Sequence, residues 1–504
     1  MDADNWALVT DLYELTMANG FKEKLGEEEG VFDIFFRKMP DDGSFVVLAG
    51  LEQAVEELKN FHFEKEDIEY LKGLNLFSDD FIEYLADFKF SCRVWAVPEG
   101  TPIFPREPVM TIQGPLIQAQ LFETLLLSII NHETLIATKA RRITAAAKGR
   151  GVMEFGARRA QGPSSATYGA RAAVIGGASS TSNLLAAKKF GIPAAGTMAH
   201  SWIEAFDSEY DAFRAWADIY PDNCSLLADT YDVLESGVPN AIKIFNELKA
   251  EGHDNFGIRI DSGDVTKLAE AAREMMDEAG FPNAKITISN ALDENIIQSL
   301  LEQGAPIDNF GVGEKMITSS SSPVLSGVYK LSAVVKGDKL IPKIKVSESK
   351  GKLTLPGIKQ TYRLIDNKSG KAFADIITLR DEDLPSELTA FKADPLATKQ
   401  KGHLANFTAV PLQKEAMDGT EVKIDLPNVF EIQKFSNSQL DLLPHSTKRL
   451  LNAESGAAPN GATERQPVKP DRNPPPPPIL RPLLMCSCPH TTWTIWCSSA
   501  ISQS

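Results

Sequence analysis

From Gly151 to about residue 330 the chain repeats one rhythm: a short apolar segment, a cluster of small or polar residues, then a helical segment. Val152 to Phe155 runs into GARRAQG, Ile192 to Ala195 into GTMAHS, Leu226 to Ala228 into DTYD, Phe256 to Ile260 into DSGD, Lys285 to Ile288 into SNALDE, and Asn309 to Phe310 into GVGEKM. Several consecutive units recur at about thirty residues, the length of a strand, a helix and their connections. After DSGD, Val265, Leu268, Ala269, Ala272, Met275, Met276 and Ala279 fall at offsets 0, 3, 4, 7, 10, 11 and 14, one apolar face of a helix. Apolar strands alternating with amphipathic helices predict a parallel sheet buried on both faces.

The unusual residues of this region, Arg158, Arg159, His200, Asp229, Asp261, Asp264, Asn290 and Gly313, all stand at or just past strand C-termini. In a β/α barrel those ends converge on one face, and in an open doubly wound sheet they share one edge. The flanks do not keep the rhythm. Helical spacing of Leu8, Leu12, Leu15 and Phe21 precedes strands expected at Val31 to Arg37 and Ser44 to Ala49, a helix at Leu51 to Phe61, and strands at Ser91 to Val97 and Val109 to Gln113. Gln118 to Lys148 reads as one long helix, and Tyr329 to Val335 with Lys339 to Val346 as a hairpin. The predicted architecture is an α/β fold, an irregular β/α barrel with an additional mostly β domain built from N-terminal and C-terminal segments. Its parts are an α+β segment over 1–120, the barrel over 121–330, a β-rich segment over 331–454 and a tail over 455–504.

The tail is compositionally foreign. It holds ten of the thirty prolines, five of them consecutive at Pro474 to Pro478, and such a run joins neither a helix nor a sheet interior. It is expected to be an unstructured extension rather than a ligand for a proline-binding module. Five cysteines, with only Cys92 and Cys224 outside the tail, argue against a disulfide scaffold. A net charge of −16 excludes a general nucleic-acid or anionic-membrane binder. No apolar run is long enough to span a bilayer, and the start, with Asp2 and Asp4, lacks a secretory pattern, so a cytoplasmic setting is expected.

Chemistry is concentrated in the strand-end clusters. His200 can serve as a nucleophile that takes a phosphoryl group, as a general base, or simply as a histidine satisfying a helix start. In Arg259-Ile-Asp-Ser-Gly-Asp264 the two carboxylates can accept from ribose hydroxyls or hold hydrated Mg²⁺, whereas helix capping accounts for only one acid. Gly311 and Gly313 permit close approach of a phosphate, or only a turn. Arg158 and Arg159 can clamp an anion, or merely be solvated. Basic, acidic and glycine-rich strand ends around one histidine describe an enzyme for an anionic, hydroxyl-bearing, phosphorylated substrate. Spacing alone does not name the reaction.

The ordered set TDLYELTMA, EFGARRAQGP, GTMAHSW, DTYDVLESGVPN, RIDSGD, SNALDE and GVGEKM, between about Thr10 and Asn452, resembles the bacterial branch of the nicotinate phosphoribosyltransferase family. The resemblance implies condensation of nicotinate with phosphoribosyl pyrophosphate to nicotinate mononucleotide and pyrophosphate, coupled to ATP hydrolysis. It also implies Mg²⁺ and a homodimer with shared active sites. By the same resemblance His200 is the phosphorylated residue, with Asp229 and Asp261 joining it in catalysis. Tyr13, Thr197 and Arg259 contact nicotinate, Tyr13 coming from the neighbouring subunit. Arg158, Ser201, Asp229, Asp261, Gly311, Gly313 and position 314 surround phosphoribosyl pyrophosphate. Glu314 departs from relatives with a hydroxyl there. The rival readings are a nicotinamide phosphoribosyltransferase, a quinolinate phosphoribosyltransferase with extra cations, and a sugar-phosphate barrel lyase with a Schiff-base lysine, for which only Lys285 stands on a strand.

Overall fold

The computed structural model describes residues 5–26, 28–345, 354–392, 401–450 and 495–497. Six short parallel strands form the central sheet in the order Ser180–Thr181, Gly151–Glu154, Asn309–Val312, Lys285–Ile288, Phe256–Ile260, Cys224–Leu227. The sheet curls into a partial barrel, matching the expected irregular one. Past Ser180–Thr181 it continues only as a single parallel bridge from Thr181 to Ala194. The strand expected at Ile192 to Ala195 therefore shrinks to one bridge, because Pro193 has no N–H to give to a ladder.

Outward-facing Ile258, Ile260, Ile286, Ile288, Phe310 and Val312 are fully buried under the surrounding helices. The helix predicted after DSGD spans Val265–Glu278, and its buried Ala269, Ala272 and Met276 are the expected stripe. Inward positions are different in kind. Ser225 pairs with Gly257 and Gly257 with Lys285, while Arg259 pairs with Leu227 and Thr287, and Thr287 with Asn309. A barrel lumen is ordinarily filled by branched apolar side chains. Here glycine, serine, threonine and asparagine leave it hollow.

A seven-stranded antiparallel sheet makes the flanking domain, in the order Lys339–Pro342, Gly327–Lys336, Glu29–Phe36, Met110–Pro115, Arg93–Ala96, Lys414–Asp418, Glu421–Val422. Segments far apart in sequence thus meet in one sheet, as expected. The strand expected over Ser44 to Ala49 is only Val46–Val47, paired with Pro102–Ile103. The third sheet gathers Lys359–Asp366, Ala372–Leu379, Glu387–Lys392, Lys401–Ala405 and Phe407–Pro411. Ile495–Cys497 joins it as a short strand between Ala372–Leu379 and Glu387–Lys392. That much of the tail departs from an unstructured extension, and the rest of it lies outside the described residues.

The long helix predicted from Gln118 is interrupted by a 3-10 turn at Gln120–Phe122 and resumes as Glu123–Ala146. Its first half puts Leu125, Leu126, Ile129 and Ile130 into the flanking core, and its second half puts Ile136, Ala140 and Ile143 into the barrel core. Between the two sits a buried charge cluster. Arg171, on helix Pro163–Ile175, meets Glu99 at 2.7 Å, Glu133 at 3.1 Å, and Glu52. Burial, with Glu99 and Glu52 adding to it, pushes the Glu133 carboxyl up to about 8 despite Arg171.

Candidate active site

The strand-end residues form a chain of contacts along one edge of the central sheet. Arg259, half-buried near the end of Phe256–Ile260, donates from Nη1 to Thr197 Oγ1 at 2.6 Å. Three residues beyond Thr197, His200 starts a short helix, and its Nδ1 is 3.1 Å from Thr230 Oγ1. The adjacent Asp229 accepts at Oδ2 from the Asp261 backbone N–H at 3.0 Å and from Ser262 Oγ at 2.6 Å. Asp261 in turn accepts from Ser289 Oγ at 2.7 Å. One hydrogen-bonded arc therefore joins the ends of three adjacent strands, with Arg259 and His200 linked through the Thr197 loop.

Electrostatics single out Arg259. Burial lowers its pKa, the carboxylates of Asp261 and Asp229 oppose that, and Arg158 adds to it. Among the described residues no carboxylate comes close enough to pair with it, and its Nε is buried without a partner. It lines a cavity of about 310 Å³ together with Thr197, Phe155, Thr287 and Asn309. A desolvated guanidinium with a spare donor, set in an aromatic-walled hollow, has the chemistry to accept a planar carboxylate. Asp229 Oδ1 is likewise buried without a partner.

Other predicted residues lie elsewhere. Tyr13, on helix Leu12–Leu25 of the flanking domain, is 44% exposed and hydrogen-bonds Glu123, well outside this arc within one chain. Ser201 is exposed in the first turn after His200, and Arg158 is exposed on the turn after Gly151–Glu154. Glu314 faces Arg159 at 3.7 Å, an exposed pair of little energetic weight. Gly311 is inside its strand rather than in a phosphate turn. A Cβ there would come within 2.6 Å of the Phe155 ring, so the glycine makes room for that ring. Gly313 alone stands in the turn, preceding helix Glu314–Ile317. Asp264, Asp232 and Asp293 each cap a following helical segment, and Asp293 also holds Lys315 at 2.7 Å.

Phe155, Thr230, Ser262 and Ser289 were not singled out from sequence. Phe155 lies inside EFGARRAQGP, where the two arginines drew attention, and an aromatic residue ending a strand was its available signal. Glu154 was also missed. It is buried, accepts from Thr181 Oγ1 at 2.6 Å and from the Gly156 N–H, and so fixes the turn that carries Arg158.

A cation, an aromatic ring, paired acids and an imidazole at the C-terminal edge of a curled parallel sheet define a barrel enzyme for small anionic substrates. Three family models cover the chain: the nicotinate phosphoribosyltransferase N-terminal domain at residues 8–131, the nicotinate phosphoribosyltransferase family at 151–356, and the C-terminal domain at 358–455. The nicotinate phosphoribosyltransferase of Bacillus subtilis is 41% identical over 452 residues, which is 90% of this chain and 92% of that one. Nicotinate phosphoribosyltransferase pncB2 of Mycobacterium tuberculosis is 40% identical over 444 residues, 88% of this chain and 89% of its own. The crystal structure of human nicotinic acid phosphoribosyltransferase superimposes with a TM-score of 0.78 at 28% identity, covering 88% of this chain and 95% of that one. The chain belongs to the nicotinate phosphoribosyltransferase family.

Proposed function

We propose that this chain condenses nicotinate with phosphoribosyl pyrophosphate to give nicotinate mononucleotide and pyrophosphate, as a step of cytoplasmic NAD biosynthesis, while ATP and water become ADP and phosphate. The observation that carries the substrate is Arg259, a half-buried cation with a free donor and no acidic partner among the described residues. Nicotinate's carboxylate supplies the missing acceptor, and the Phe155 ring walls the same hollow, where a pyridine ring can lie against it. Breaking the anomeric C–O bond builds positive charge on ribose and negative charge on leaving pyrophosphate. On this reading Asp229 and Asp261 accept ribose hydroxyls and balance the first, and Arg158 balances the second.

Among the described residues no group of three or more His, Cys, Asp or Glu side chains cages a metal. Mg²⁺ needs no such cage, since it keeps waters and substrate phosphates and takes only one or two carboxylates. The unpartnered Asp229 Oδ1 beside Asp261 fits that demand, and these two residues would hold the ion, which neutralises pyrophosphate charge when bound. His200 engages Thr230 through Nδ1, leaving Nε2 as the nitrogen to attack the γ-phosphorus of ATP with departure of ADP. A dianion on that imidazole shifts the charge balance of the loops that hold substrate. ATP coupling then acts through affinity rather than in the glycosidic step itself.

The quinolinate reading asks for a second cation, and the lyase reading for a free lysine. Lys285 lines the same cavity, but its ammonium pairs with Asp308 at 2.9 Å, half-exposed at the opposite strand ends. That favours a monocarboxylate. Tyr13, remote from Arg259 within one chain, reaches a site only in a homodimer with shared active sites. Product formation from nicotinate, nicotinamide and quinolinate in parallel, with and without ATP, tests the assignment. Equal or greater turnover of nicotinamide or quinolinate rejects it.

A further inference from the structure

Helices Glu123–Ala146 and Val429–Leu442 meet the loop around Ser44 and the segment from Lys448 to Leu450. They enclose a hollow of about 40 Å³ lined by Arg141, Arg142, Lys448 and Arg449. One water occupies roughly 10–15 Å³ on this measure, so the space is that of about three waters, near the size of a tetrahedral oxyanion.

The four cations are unequally satisfied. Arg142 is committed to Glu294 at 2.8 Å, a carboxylate it shares with buried Lys139. Lys448 is 4.0 Å from Asp441, whose side chain is 83% exposed. Arg141 has no ion pair among the described residues; its Nη1 donates to the neutral amide oxygen of Asn437 at 3.0 Å. Burial lowers its pKa, with Asp441 the only opposing charge. Counting Lys139, the five cations here face, among the described residues, Asp41, Glu294 and Asp441. An excess of two positive charges on a chain of net charge −16 is a local inversion of sign.

We infer that this hollow is a second anion site, which takes a free tetrahedral oxyanion such as inorganic phosphate between Arg141 and Lys448. The inference is independent of the proposed reaction. A bound ion completes the hydrogen bonding of a guanidinium otherwise held by one amide, and it joins the helix that spans both lobes to the 3-10 turn Ser446–Lys448. Binding to the folded state alone raises thermal stability by mass action.

Inorganic phosphate is titrated calorimetrically into the full chain, into Arg141→Gln/Lys448→Gln, and into Arg158→Gln, which alters only the exposed turn after Gly151–Glu154. The expected result is a phosphate-binding event retained in Arg158→Gln and weakened at least tenfold in the double variant. Arg449→Gln, at an exposed residue, is expected to weaken it in the same direction and keeps the test readable if the double variant misfolds. Unchanged phosphate binding in both the double variant and Arg449→Gln would overturn the site, as would loss of all binding in Arg158→Gln. AMP competing as tightly as phosphate for the retained event would overturn its assignment to a free ion.

Discussion

Arg259 Nη1 and Thr197 Oγ1 are 2.6 Å apart, and this one bond joins the strand that carries Asp261 to the loop that carries His200. The guanidinium is thereby oriented before any ligand arrives, with its Nε left over. Preorganisation of this kind moves the entropic cost of ordering a side chain from binding to folding.

Replacing Arg259 by Ala is expected to raise the nicotinate KM about tenfold or more, since a hydrogen bond to a charged group contributes roughly 1.5–3 kcal/mol. Steady-state kinetics with nicotinate varied provide the measurement. An unchanged KM would remove Arg259 from carboxylate recognition.

His200→Ala is expected to abolish nicotinate-dependent ATP hydrolysis while slow, uncoupled mononucleotide synthesis persists. Simultaneous assay of ADP and nicotinate mononucleotide distinguishes the two activities. Coupled turnover in the variant would show that another group receives the phosphoryl.

Asp261 and Asp264 stand three residues apart and do different work. Asp264→Ala removes a helix cap and is expected to cost about 1 kcal/mol of stability with kcat nearly intact. Asp261→Asn keeps shape and stability yet is expected to lower kcat by about a hundredfold, because under the proposed function it removes the charge that balances the ribose cation. Thermal melts and kcat measured on both variants check the contrast, and equal kcat values would refute it.

The buried carboxyl of Glu133 gives a pH signature. Its folded pKa of about 8 exceeds the ordinary 4.5, so the native chain holds a proton that the unfolded chain has released. Its contribution to stability is whole below about pH 4.5 and is lost as pH rises through about 8. Relative to Glu133→Gln, the wild-type protein is expected to lose stability steadily across that window. Parallel melting-temperature profiles for the two proteins would disprove it.

Protomer mixing addresses Tyr13. Tyr13→Ala and Arg259→Ala, each impaired alone, are expected to regain activity when co-expressed, because a mixed dimer contains one site with both residues intact. Activity no higher than that of the separate variants would place Tyr13 outside the site.

Sequence periodicity revealed the parallel sheet because its strands and helices are long enough to repeat. It marked Val265–Glu278 through seven apolar positions, and Phe256–Ile260 and Lys285–Ile288 with the observed bounds. Ser180–Thr181 escaped, since two residues carry no period. Arg259, Asp229, Asp261 and His200 were legible as strand-end polar residues, and Thr197 through the family resemblance, but their mutual contacts also depend on Thr230 and Ser289, small hydroxyls that no pattern distinguishes from turn residues. The turn expected at Gly311 fails for a related reason: a glycine that yields space to a distant ring looks the same in sequence as one in a turn. Capping accounts for Asp264, Asp232 and Asp293 and leaves Asp229 and Asp261, which cap no helix, as the acids assigned to chemistry under the proposed function.

The helix Glu123–Ala146 contributes side chains to two hydrophobic cores. Neither lobe is therefore a transferable module. Excising one strips the other of half a helix, and grafting a foreign lobe requires a graft within the rod itself.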